Sequence, residues 1–345
     1  MNTITELAAH SLKMAARLPG GPLNASARVI PFSNSGSNRY FFRLSDGNRS
    51  AVALIDPHPD GEFEDYISIG KFLWRNGIGV PEFYSIDREL GIVVMEDLGD
   101  LSLEITVKKG STDKIMPLYK RCLDLLCELQ TGITSVIKEE NMLSGKLFDK
   151  NRLLKETSYF EDEFLARFQS YRIPKGWKNE KEKLAEIISS QPLVFMHRDF
   201  QSRNIIIENN NPRIIDFQTA HLGPGMYDTV SLLKDPYVSL SEHDRRGLLA
   251  YLYNILKERG AHGRMSFDEF INQFVTTGIQ RNLQTLAAFA KLGYGDGKKI
   301  FLESIPAGLR LLREGAGINN SYPAIEEMAK DLLDLADSEN SPPAG

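Results

Sequence analysis

Residues 196–217 read MHRDFQSRNIIIENNNPRIIDF, and their reading decides the fold. The apolar PLVFMH that leads into this stretch reads as a buried strand running into a loop. NIIIE and PRIID alternate and are β-branched, the pattern of a hairpin, and Asn209, Asn210 and Asn211 before Pro212 make its turn. Such a hairpin brings Asn204 and Asp216 together at one end. With Asp199, these three residues supply two carboxylates and a carboxamide. One carboxylate suits the orientation and deprotonation of an attacking hydroxyl; the other two groups are hard oxygen ligands for magnesium on nucleotide phosphates. A lone Asp or Asn in a loop ordinarily marks a turn or a cap. His197, Arg198, Asp199, Asn204 and an Asp-Phe pair after a hairpin, in one run, are far harder to explain that way. His197 and Arg198 read as braces of the loop rather than as chemistry.

HRDFQSRN followed by IDF resembles the aminoglycoside phosphotransferase superfamily, relatives of the protein kinases. Residues 215–238, IDFQTAHLGPGMYDTVSLLKDPYV, are similar to one branch of it, as are residues 278–306, GIQRNLQTLAAFAKLGYGDGKKIFLESIP. That branch comprises bacterial sugar kinases that phosphorylate the anomeric hydroxyl of N-acetylmuramate and N-acetylglucosamine in cell-wall recycling. The resemblance implies an α+β, two-lobed protein-kinase-like fold, with a small N-terminal antiparallel-sheet lobe and a larger, mainly helical C-terminal lobe. It implies ATP and Mg2+ as cofactors and a small-molecule hydroxyl, an amino sugar, as substrate. It places Asp199 on the acceptor, Asn204 and Asp216 on the metal, and an aspartate at the position of Asp228 as a brace of the loop.

The rest of the chain agrees with two lobes. ARVIPF, RYFFRLS and SAVALID read as strands, DGEFEDYISIGKFLWRNG as a helix with an acidic first turn, and PEFYSID and GIVVMEDLG as two further strands. Composition then turns helical. Ile115, Leu118, Cys122, Leu125, Leu126 and Leu129 share one face of a helix. Most of 241–335 has helical patterning too. The expected division is 1–98 for the nucleotide lobe, 99–337 for the catalytic and substrate lobe, and 338–345 as a disordered polar tail. A net charge of −5 gives no basic footprint for nucleic acid or an anionic membrane. No apolar run has membrane-spanning length, and the N-terminus reads as a short helix rather than a signal peptide. Cys122 and Cys127 are the only cysteines, and five residues apart on one helix they cannot bridge. A cytoplasmic protein is expected.

In the nucleotide lobe, Ser35, Gly36, Ser37 and Asn38 between two strands suit backbone contacts to phosphate. No Gly-x-x-x-x-Gly-Lys-Ser/Thr loop occurs. The end of the strand at Glu96 to Leu98 fits an adenine-binding hinge through its backbone. One departure stands out: the third strand, SAVALID, lacks the phosphate-binding lysine usual in kinase-like folds, and no lysine occurs between Lys13 and Lys71. Arg39 and Arg43 share a strand face by alternation, and either is placed to supply that charge. Glu62 and Glu64 read chiefly as charges at a helix N-terminus. Asp228 and Asp235 suit caps, with a substrate contact as the alternative for Asp235; the side chain of Gln218 is placed to meet substrate. Arg281 and Asn282, on an otherwise apolar helix, read equally as a cleft-facing pair and as a solvated face.

Three alternatives keep their place at this point. A kinase of an aminoglycoside, choline-like or other small alcohol uses the same machinery. A catalytically weak nucleotide-binding pseudokinase is motivated by the absent lysine and opposed by the intact Asp199, Asn204 and Asp216. A protein kinase is disfavoured, because no long activation loop lies between Asp216 and the helix after Asp228.

Overall fold

The computed structural model describes residues 3–339 apart from 16–17, 19, 22, 25, 33–38, 169–170 and 262. Its first stretch runs α1 (Ile4–Met14), β1 (Arg28–Pro31), β2 (Tyr40–Ser45), β3 (Ser50–Ile55), α2 (Gly61–Arg75), β4 (Phe83–Asp87), β5 (Ile92–Glu96) and α3 (Leu103–Lys109). There follow α4 (Thr112–Glu128), α5 (Thr134–Glu139), α6 (Lys150–Glu163), α7 (Trp177–Ser189), β6 (Leu193–Met196), β7 (Ile205–Glu208), β8 (Asn211–Ile214) and β9 (His221–Pro224). The chain closes with α8 (Met226–Leu233), α9 (Glu242–Glu258), α10 (Phe267–Ala290), α11 (Ile305–Gly317) and α12 (Pro323–Glu339). Residues up to Thr106 with Arg203–Ala220 form one compact unit; Val107–Ser202 and the chain from His221 form another. The fold is α+β: one unit carries an antiparallel sheet and the other is mainly helical. Of the expected tail 338–345, the first two residues belong to α12 and 340–345 lie outside the described residues, as does Pro19. No described helix is long and apolar enough to cross a membrane.

All five strands read in the first hundred residues form, in the antiparallel order β1-β2-β3-β5-β4. Alternation splits their side chains. Ala51, Ala53, Ile55, Ile92 and Val94 join Leu7 and Ala8 of α1 in one buried cluster. Val52, Leu54 and Met95 line a cavity instead. Helix α2, capped by Asp60 on the N–H groups of Glu62 and Phe63, packs through Tyr66, whose hydroxyl donates to Met95 Sδ at 3.0 Å. The Tyr66 ring stacks on Phe217, with centroids 5.0 Å apart and planes 9° apart, and on Phe83 at 5.3 Å. Phe217 follows Asp216 directly, so this stack ties a candidate metal ligand to α2.

Gly70 makes the stack possible. A Cβ there would lie 2.6 Å from Phe83 Cζ and 2.9 Å from Phe217 Cε2. Alanine normally favours a helix interior over glycine by about 1 kcal/mol. At Gly70 the overlap reverses that sign, and Gly70→Ala is expected to destabilise the protein by about 1–3 kcal/mol. Gly247 in α9, exposed and with no atom within 4 Å of its Cβ position, is the control. Gly247→Ala should be neutral or stabilising in the same urea titration. Equal shifts for the two variants would remove the steric argument.

In the second unit, α10 begins with a capping box between Ser266 and Glu269 and runs 24 residues. Its Ile279, Leu283, Leu286 and Ala290 enter a large core with Phe160, Phe164, Leu309 and Leu312. Helix α4 buries Leu118, Cys122 and Leu126 as its spacing predicts, and Tyr119, Leu123 and Cys127 as well, so its apolar face is wider than the single stripe. Both cysteines are free and buried.

Candidate active site

Strand β6 pairs with β9, an element the sequence did not announce, and enters the loop from within the second unit. Phe195 donates its N–H to Thr134 Oγ1 at 2.8 Å, and that hydroxyl donates to Leu129 O, also at 2.8 Å. Leu129 opens a π-turn, Leu129–Ile133. Gln130 of the same turn donates through Nε2 to Gly225 O at 2.6 Å. One irregular helical turn therefore fixes both β6 and the start of α8.

The backbone N–H groups of His197 and Arg198 donate to the two oxygens of Asp228 at 2.6 and 2.8 Å. Arg198 sits at φ 81° to do this, in a left-handed region that costs a non-glycine residue about 1–2 kcal/mol. Asp228 is thus the loop brace that the resemblance implies, and not a helix cap: Gly225 holds the N-cap place of α8. Burial pushes the Asp228 carboxyl up to about 7, opposed by the two backbone donors, which favour the anion. Asp235 is a second brace rather than a cap or substrate contact. Its carboxylate accepts from Ser202 N at 2.8 Å, Ser202 Oγ at 2.6 Å and Tyr237 N at 2.9 Å. The loop that carries Asp199 is held at both ends by buried carboxylates.

Two further contacts were not legible. Arg281, expected as either cleft-facing or solvated, is buried and donates through Nη2 to Asp199 Oδ1 at 3.0 Å. Glu156 is buried, accepts from the Tyr227 hydroxyl at 2.9 Å on both oxygens, and pairs with Arg198 at 3.4 Å. Burial pushes the Glu156 carboxyl up, and Arg198 pulls it back. The only signal in the sequence was the presence of Arg281 and Asn282 among apolar neighbours on α10.

The hairpin β7–β8 forms in the first unit with the expected turn: Asn209 and Asn210 take φ 50° and 63°, which asparagine tolerates well. Ile215 N donates to Asn204 O at 3.0 Å, closing the end where Asn204 and Asp216 emerge. Arg213 fastens the hairpin to the sheet. Its guanidinium donates to Glu96 Oε2 at 2.5 Å, Val80 O at 2.8 Å and Glu208 Oε2 at 2.7 Å. Asp216 holds φ 66°, and Gln218 Nε2 donates to Asp216 Oδ1 at 2.7 Å. Gln218 thus touches the candidate ligand.

A cavity of about 500 Å³ opens in this unit, with Arg39, Glu96, Leu98, Asn204 and Asp216 among its lining residues. Asn204 and Asp216 offer one carboxamide and one carboxylate, hard oxygens of the kind Mg2+ takes while phosphate and water complete its shell. No cluster of three or more His, Cys, Asp or Glu suited to a metal occurs among the described residues. Ser35, Gly36, Ser37 and Asn38 lie outside the described residues.

The two arginines have different partners. Arg43 is committed to two aspartates, the first of which lines the cavity: its guanidinium donates to Asp97 at 2.6 and 3.0 Å and to Asp100 at 2.8 and 2.9 Å. Arg39 lines the cavity, donates to Asp56 Oδ2 at 3.0 Å and lies 3.7 Å from Glu62 Oε2. Glu62 and Glu64 both stand in the acidic first turn of α2, as read, and Glu64 also pairs with Arg88 at 3.0 Å. If Arg39 replaces the charge of the missing lysine, Arg39→Ala is expected to weaken ATP binding about tenfold or more and leave adenosine binding unchanged, because a contact to phosphate would then be lost. Arg43→Ala should affect both ligands alike, through the Asp97–Asp100 segment. Calorimetric titration of the four combinations decides it; equal loss of ATP and adenosine on Arg39→Ala would take phosphate away from Arg39.

The profile of the phosphotransferase enzyme family matches residues 28–264. Over 314 residues the chain is 30% identical to an N-acetylmuramate/N-acetylglucosamine kinase of Pseudomonas aeruginosa, covering 90% of this chain and 89% of that protein. A protein of the same name from Neisseria meningitidis serogroup B is 28% identical over 307 residues, 87% of this chain and 88% of its own. Among solved structures, choline kinase from Cryptosporidium parvum superposes with a TM-score of 0.64 at 14% identity, over 95% of this chain and 99% of that one. The GDP and kanamycin complex of APH(2″)-IIia superposes with a TM-score of 0.61 at 18% identity, over 91% and 99%. At such identities the two structures speak for the kinase-like fold alone.

Proposed function

The chain belongs to the phosphotransferase enzyme family, and from that premise we propose that it transfers the γ-phosphoryl group of ATP to the anomeric hydroxyl of N-acetylmuramate and N-acetylglucosamine. The observation that carries the substrate is the likeness to kinases of that name along about nine-tenths of the chain. Asp199 takes the acceptor side. Its carboxylate orients the anomeric hydroxyl and receives its proton as the oxygen attacks phosphorus and the bond to ADP breaks. An anomeric hydroxyl is more acidic than an ordinary sugar alcohol, so one carboxylate is an adequate base. Asn204 and Asp216 would hold Mg2+, which would neutralise charge on the phosphates. Arg39 supplies the positive charge that a third-strand lysine gives elsewhere, and Glu96 to Leu98 receive the adenine through the backbone. The product is a sugar 1-phosphate. A cytoplasmic place follows from the dependence on ATP.

The test compares N-acetylglucosamine with its methyl glycoside, whose anomeric oxygen is blocked. Phosphorylation of the free sugar alone, with phosphorus coupled to C1 by NMR, is expected. Phosphorylation of both at C6, or of aminoglycosides alone, would sink the anomeric assignment.

A further inference from the structure

Arg281 is buried at a cost that calls for a reason. Its side chain is 7% exposed, whereas that of Asp199, the group it holds, is 32% exposed. Burying a guanidinium costs several kcal/mol unless its donors are met. They are met with unusual completeness: Nε by Ser231 Oγ at 2.9 Å, Nη1 by Gln284 Oε1 and by Thr285 Oγ1 at 2.8 Å, and Nη2 by Asp199. The guanidinium carbon also lies 5.5 Å from the centre of the Tyr227 ring, whose hydroxyl is anchored on Glu156.

The source of these partners is informative. Ser231 stands one helical turn beyond Asp228 on α8, on the same face. One face of α8 therefore holds the backbone of the loop through Asp228 and, through Ser231 and Arg281, the side chain of Asp199. Thr285 stands one turn beyond Arg281 on α10 and fixes the guanidinium plane. An ion pair this buried is weak evidence for stability, since an apolar residue of similar volume would pack as well. A partly exposed aspartate without such a partner samples several rotamers; one held by a fixed guanidinium has its orientation set before an acceptor arrives.

We propose that Arg281 is the positioning residue of the acceptor-side carboxylate, fixing the orientation in which the loop presents Asp199. This role rests on Asp199 serving the acceptor hydroxyl. The experiment uses Arg281→Met and Arg281→Lys, each alone and combined with Asp199→Asn. The readouts are kcat and KM with N-acetylglucosamine, direct titration of ATP, and thermal melting. Arg281→Met is expected to lower kcat about a hundredfold while the ATP Kd stays within about twofold, and Arg281→Lys to restore about a tenfold share of the loss. The variant carrying both Asp199→Asn and Arg281→Met should be no slower than Asp199→Asn alone, because Arg281 acts only through that carboxylate. If Arg281→Met does not fold, Thr285→Val with Ser231→Ala loosens the same guanidinium, and a fall in kcat of about fivefold or more, again absent on the Asp199→Asn background, is expected. Turnover within about threefold of the parent in Arg281→Met, or losses that multiply in the combined variant, would overturn the role of Arg281 alone. Parental turnover in Asp199→Asn would overturn the reading beneath it as well.

Discussion

Asp199→Asn is expected to cut turnover by about a hundredfold or more and to leave nucleotide affinity nearly intact. The substitution keeps shape and keeps an oxygen for Arg281 Nη2, now 3.0 Å from Oδ1. It removes only the charge and basicity that an acceptor hydroxyl needs. The loop itself should survive, because its hold comes from Asp228 on His197 and Arg198 and from Asp235 on Ser202. Steady-state kinetics beside equilibrium titration of ATP separate the two effects. A variant within a few-fold of parental turnover would take Asp199 out of the mechanism.

The second large effect is at Asp216. Asp216→Asn should abolish most of the Mg2+-dependent share of ATP affinity, about a hundredfold or more, while adenosine binding is retained. Asparagine is the right replacement because the residue sits at φ 66°, where alanine would add a backbone penalty of about 1–2 kcal/mol unrelated to metal. Titrations of ATP with Mg2+ and with EDTA, and of adenosine, read the effect directly. If adenosine weakens as much as ATP, the cavity has been disturbed and the metal assignment loses its support.

What the sequence made legible was local. The hairpin could be read because NIIIE and PRIID alternate on either side of an asparagine turn, and all the contacts that define it lie within ten residues. The five strands could each be read from their own alternation, although β3 pairs with β5 across α2, with Ala51 opposite Glu96. The braces of the candidate site are long-range, and residue type alone does not name a partner. Asp235 meets Ser202 across 33 positions and Arg281 meets Asp199 across 82. Alternation put Arg39 and Arg43 on one face of their strand, yet only the tertiary fold shows that Arg43 pairs with Asp97 and Asp100 while Arg39 pairs with Asp56 and lines the cavity. Asp228 has the type and place of a cap. It braces the loop instead because Gly225 takes the cap position and the loop offers two N–H groups to its carboxylate.

The stack of Tyr66 on Phe217 and Phe83 also bears on how the protein can be inhibited. The Tyr66 hydroxyl on Met95 Sδ joins two residues that line the cavity, and Gly70 admits the rings where a Cβ would meet Phe83 and Phe217. A competitive compound that displaces Tyr66 has to break that contact and push the stacked rings apart. Selective chemistry belongs at the charged part of the lining, where Arg39, Glu96 and Asp97 serve a sheet whose third strand carries no lysine.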